Sequence, residues 1–144
     1  MTHAPPDVAD RQVQRSLALW AADCAEHVLP FFTAQHPLDA RPRNAIEAAR
    51  AWARVEIKCG AARVAAVAAH TAARIADEGA ARFATRAAGH AAATAHMAGH
   101  ARHAAAYAVK AAVAAGISAT TEQDWQQARL PAHLRALVLQ PSKE

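Results

Sequence analysis

Histidine is the chemistry-bearing residue this chain uses most: there are nine, and His96, His100 and His103 recur at helical spacing. At 100° per residue these three project within about 60° of one another, with Tyr107 extending the same face and His90 pointing elsewhere. Imidazole is the commonest protein metal ligand, and an i, i+4 pair can grip one ion, which makes His96, His100 and His103 candidate ligands for a transition metal. Met97 stands where a zinc-protease pattern needs its glutamate, and no Glu-x-x-His pair occurs. A carboxylate ligand would have to come from Asp23, Glu26, Glu47 or Glu56 on other elements. The competing expectation is that the histidines hydrogen-bond across tight helix contacts and that the protein holds no cofactor. His70 would join the cluster if its helix is a neighbour.

Other chemistry is thinly represented. Cys24 and Cys59 are too few for a disulfide framework and lack CxxC spacing, so both are expected as free, buried thiols. No Walker loop, GxGxxG, GxSxG or HExxH pattern occurs, which points to binding rather than catalysis. Residues 79–121 contain no Asp or Glu but do contain Arg82, Arg86, Arg102 and Lys110. Four cations over so long a segment is a thin footprint for nucleic acid, and no recognised nucleic-acid motif accompanies them. Trp20, Trp52 and Trp125 are expected in the core, supplying the volume that smaller residues cannot.

The elements that must position these groups are helices. Of 144 residues 45 are alanine, the best intrinsic helix former, while aromatics are only 5%, so all-β and parallel α/β folds are excluded. All seven prolines lie outside residues 43–130, which permits long helices there. A first helix should run from near Asp10 through Val13, Leu17 and Trp20, with Asp23 capping a second segment that kinks or restarts at Pro30. Residues 35–42 read as a loop, and Pro42 opens a third helix over residues 44–59, with an Arg43–Glu47 pair outside and Gly60 as its stop. A fourth helix over residues 61–76 carries Val64, Val67, Thr71 and Ile75 as its apolar seam. Residues 80–115 are helical, divided near Gly89 or Gly99. Thr120 or Thr121 caps the next helix, and Pro131 opens a last short one. The expected fold is a single all-α domain over residues 10–139, an antiparallel array of six to seven helices with alanine-mediated close packing, between flexible ends at residues 1–9 and 140–144.

The formal charge of +4 is mild. Neither a secretory signal nor an apolar run of membrane-spanning length is present, so a cytoplasmic protein without a membrane partner is expected.

Several segments together resemble one family. Residues 17–29 (LALWAADCAEHVL), 41–52 (RPRNAIEAARAW), 69–74 (AHTAAR), 86–96 (RAAGHAAATAH) and 125–134 (WQQARLPAHL) are similar, in this order, to the Imm-5-like family of bacterial immunity proteins. The resemblance covers residues 17–138. It implies an all-helical protein that binds and neutralises a cognate toxin of a bacterial polymorphic toxin system, without catalysis. It brings no catalytic residues. The matching polar positions Asp23, Glu26, Glu47, Arg50, His70, His90 and His96 become candidates for a shared structural or binding role, and a homo-oligomer stays open. Immunity proteins of nuclease toxins usually offer an acidic face, so a net-basic chain suggests a partner that is acidic or apolar where they touch.

Overall fold

The fold, taken from a computed structural model, is described for residues 8–139; the expectations for residues 1–7 and 140–144 fall outside them. Among the described residues the ordered elements are helical: α1 (Val8–Val28), α2 (Pro30–Thr33), α3 (Arg41–Ala53), α4 (Cys59–Ile75), α5 (Ala80–Ala93), α6 (His100–Ala114), α7 (Ala119–Arg129), a 3-10 turn (Ala132–Leu134) and α8 (Arg135–Leu139). Six of these are at least 11 residues long, so the all-α array is the fold observed.

Helix α5 is the hub, packed against α1, α2, α3, α4 and α6. Its sequence explains why: Ala81, Ala84, Thr85, Ala87, Ala88, Gly89, Ala91 and Ala92 are buried, and side chains this small let several helix axes approach closely at once. The Thr85 hydroxyl is satisfied locally by donating to the Ala81 carbonyl at 2.9 Å. The larger core residues, Phe32, Leu29, Ile46, Val28 and Leu134, lie on the elements around this hub.

Several boundaries differ from those expected. Asp23 caps nothing, because α1 runs through it unbroken and the Asp23 side chain is used laterally. Helix α3 stops at Ala53, with Val55 at φ 63°, and Gly60 sits in the first turn of α4 rather than ending α3. Gly89 lies inside α5, and the break falls at residues 94–99 instead. Ser118, not Thr120 or Thr121, caps α7, its hydroxyl accepting from the Thr121 amide at 3.1 Å.

The expected seam of α4 is inverted. Val64, Val67 and Ile75 are 71%, 59% and 69% exposed, and the face carrying Ala62, Ala66, Ala69, Ala72 and Ala73 is buried against α3 and α5. Hydrophobicity favours valine inside, but the close approach to α5 admits methyl groups only; β-branched side chains would hold the axes apart.

Candidate functional site

Two polar clusters emerge, each built from several helices. The first joins α1 to α3. Arg50 projects from α3 and donates from Nη2 to Asp23 Oδ1 at 3.0 Å and to Glu26 Oε1 at 2.8 Å, while its Nη1 reaches Glu26 Oε2 at 3.2 Å. Glu47 lies 3.7 Å from the same guanidinium. Arg43 pairs with Glu26 at 3.7 Å instead of with Glu47, because the inter-helix carboxylate competes successfully for it. This two-point grip holds the Glu26 carboxyl below its ordinary range and raises Arg50 further. Asp23, Glu26, Glu47 and Arg50 are therefore one constellation. The Arg50 side chain is 14% exposed, but the three carboxylates are 42%, 44% and 56% exposed and remain available to a partner.

Beside it opens a cleft of about 320 Å³ lined by Asp23, Glu26, His27, Trp125 and Arg129. His27 stacks flat on Trp125, with centroids 3.6 Å apart and planes 2° from parallel. The Arg129 guanidinium covers the Trp125 ring at 4.4 Å. Glu122, only 2% exposed, holds His27 Nδ1 at 2.9 Å and orients the ring. Trp125 is thus half-buried in a wall of the cleft rather than a core residue, because α7 meets α1 at an edge where one ring face finds His27. Cys24 lies one turn from His27 on α1, but burial, with Glu122 and Asp23 adding to it, pushes its thiol well up, which suppresses the nucleophilic thiolate.

The second cluster joins α4, α5 and α6. The centre is His90, the ring expected to point away. Its Nδ1 lies 2.9 Å from Nδ1 of His100, and its ring packs at 5.0 Å from His70, 5.3 Å from His103 and 5.3 Å from Tyr107. His96 is exposed in the turn between α5 and α6, so the expected triad of His96, His100 and His103 on one helical face does not form. Its spacing argument assumed an unbroken helix; the break carries His96 off the face, and the antiparallel return brings His90 onto it. Among the described residues, no group of three or more His, Cys, Asp or Glu side chains is arranged to hold a metal ion.

The second cluster is tuned to be neutral. Arg86 donates to His70 Nδ1 at 2.9 Å, which requires the lone pair of an uncharged ring there. Burial first, then the Arg86 charge, lowers His70. Burial and its imidazole neighbours push His90 down to about 3, and burial with His103 lowers His100. Gly89 makes room: a Cβ there would sit 2.6 Å from the His70 ring.

The polar residues shared by the resembling segments thus fall into both clusters, with Asp23, Glu26, Glu47 and Arg50 in one and His70 and His90 in the other. The family model for Imm-5 like putative immunity protein matches residues 7–133, which spans both. The chain belongs to this family. No curated protein and no solved structure matches it. Sequence reasoning missed His27, Glu122, Trp125 and Arg129 as one unit, since they are about 95 residues apart and only the packing of α7 on α1 unites them. Arg86 was legible only as a basic residue; its role appears when α4 meets α5.

Arg50→Ala is expected to lower stability by about 1–2 kcal/mol, since it removes a partly buried, charge-assisted network and leaves Asp23 and Glu26 unpaired. Urea denaturation checks this, with Arg50→Lys recovering only part of the loss, because an ammonium cannot grip two carboxylates as a fork.

Proposed function

We propose that this immunity-family protein binds and neutralises a cognate bacterial toxin without catalysis, through the face formed by α1, α3 and α7. The family match over residues 7–133 carries the reading. Support for the face comes from its composition: half-exposed carboxylates of Asp23, Glu26 and Glu47 surround a cleft whose wall is Trp125 with Arg129 laid over it. Tryptophan and arginine at the centre of a cleft, rimmed by polar groups, are what binding hot spots are made of. The Glu122–His27 contact keeps the platform in place, so little ordering is required on binding. The net charge of +4 does not describe this face: residues 79–121, free of acids, lie on α5 and α6 and the turns that follow them, while this face carries charges of both signs. A partner with basic side chains set among apolar ones would suit it.

The test is co-expression with a toxin encoded beside this gene. Cells should survive, and the two chains should co-purify. Trp125→Ala and Glu26→Arg should each weaken the complex by about tenfold or more while the circular dichroism spectrum is unchanged. Toxicity unaffected by the wild-type protein, with no complex at micromolar concentration, would overturn the reading.

A further inference from the structure

The outer face of α4 presents Val64, Val67, Ala68, Thr71 and Ile75 in heptad-like spacing. Val64, Val67 and Ile75 are all well exposed, although α4 has only α3 and α5 as neighbours and its buried side is alanine. Thr71 adds to the apolar surface. Its hydroxyl donates to the Val67 carbonyl at 3.1 Å and accepts from Arg74, which turns its polar group back into the helix. Val64 to Ile75 spans about 16 Å along the axis.

Two unused charges bracket this stripe. Arg63 lies at its N-terminal end, and Asp77 follows its C-terminal end; both are exposed, and among the described residues neither has an ion-pair or hydrogen-bond partner in the chain. Glu78, next to Asp77, is engaged with Arg82 at 3.5 Å.

We propose that this face is the contact surface of a symmetric homodimer in which two copies of α4 pack antiparallel. With the copies related by a two-fold axis near the middle of the helix, Val64 lies opposite Ile75 of the second copy and Ala68 opposite its Thr71. The same register carries Arg63 to Asp77 of the second copy, and symmetry makes that pair twice. A helix with opposite free charges at its two ends and an uncharged apolar stripe between them is complementary to its own reverse. That self-complementarity selects a second copy over an unrelated chain, and antiparallel macrodipoles add to it. One helix pair is a small interface, so the dimer is expected to form at micromolar concentration. This surface differs from the α1, α3 and α7 face assigned to the toxin, so the two stand or fall separately.

Sedimentation velocity on untagged protein across about 1–200 µM tests it. The weight-average mass should rise from 15.2 kDa toward twice that value. Val67→Glu should leave only monomer, with helicity and melting temperature of the monomer unchanged because the site is on the surface. Arg63→Glu and Asp77→Arg should each raise the dissociation constant by about fivefold or more, and the double variant should restore it to within about twofold. A wild-type chain that stays monomeric throughout the range overturns the proposal. So does a dimer insensitive to Val67→Glu, a double variant no tighter than the singles, or a face whose variants lose toxin binding while the free protein is monomeric.

Discussion

Trp20→Ala is expected to cost about 3–5 kcal/mol, the largest effect of any single truncation in this protein. Alanine dominates this core, so a large side chain has few neighbours of adaptable size to collapse into the space it leaves. Trp20 is 4% exposed on α1, and its indole Nε1 donates to the Gln126 carbonyl on α7 at 2.9 Å. The Gln126 side chain, itself 5% exposed, donates from Nε2 to the Ala105 carbonyl on α6 at 2.9 Å. Truncation therefore opens a cavity and also leaves a buried carbonyl without its donor, at the junction of three helices. Trp20→Phe should lose less, because it keeps most of the volume and sacrifices the hydrogen bond. Urea denaturation followed by circular dichroism reads both values, and a Trp20→Ala loss below about 1 kcal/mol would show that α7 is not held through this residue. Such a loosening should also weaken toxin binding, since Trp125 rides on the same helix.

Acidification from pH 7.5 to pH 5.0 is the second large effect. His70, His90 and His100 are all lowered in the native protein relative to an unfolded histidine near 6.5, and His90 is at about 3. Between the native and unfolded values the unfolded chain binds more protons, so stability is complete above about pH 7 and falls as pH drops through 6.5. Each pH unit inside that window is worth at most ~1.4 kcal/mol per histidine held neutral, and partial exposure of these rings reduces it. About 2 kcal/mol is expected over the interval, or roughly 5–10 °C in melting temperature. No acid in residues 79–121 offsets the new charges, while Arg86 and Lys110 repel them. Glu26 acts in the same direction in a lower window: its value is depressed, so the stability it contributes is lost only below about pH 4.5. Melting curves at half-unit pH steps separate the two. His90→Asn should flatten the dependence between pH 7 and pH 5 without altering the fall below it, and an unchanged slope in that variant would remove the histidine cluster as its cause.

Much of the fold was legible because its causes are local. Proline positions delimited the long helices, alanine dictated helix over strand, and Pro42, Pro131 and Gly79 punctuated where expected. Periodicity misled on α4, since a hydrophobic stripe predicts burial only when the partner surface leaves room for it. In this array the partner is α5, whose alanine face demands alanine in return, and the valines were displaced outward. The histidine face failed for a related reason: angular arithmetic assumes one continuous helix, and the turn at residues 94–99 reset the phase between His90 and His100.

The sequence by itself determined helix content, the punctuation of the chain, and the polar positions that carry the family resemblance, because propensity, proline geometry and residue identity act over a few neighbours. Tertiary structure alone decided which of those positions meet. Arg50 finds Asp23 and Glu26 across 24–27 residues, Glu122 finds His27 across 95, and Gly89 yields its space to His70. Such contacts depend on how closely two helix axes approach and in what phase, and both are set by the whole packed array.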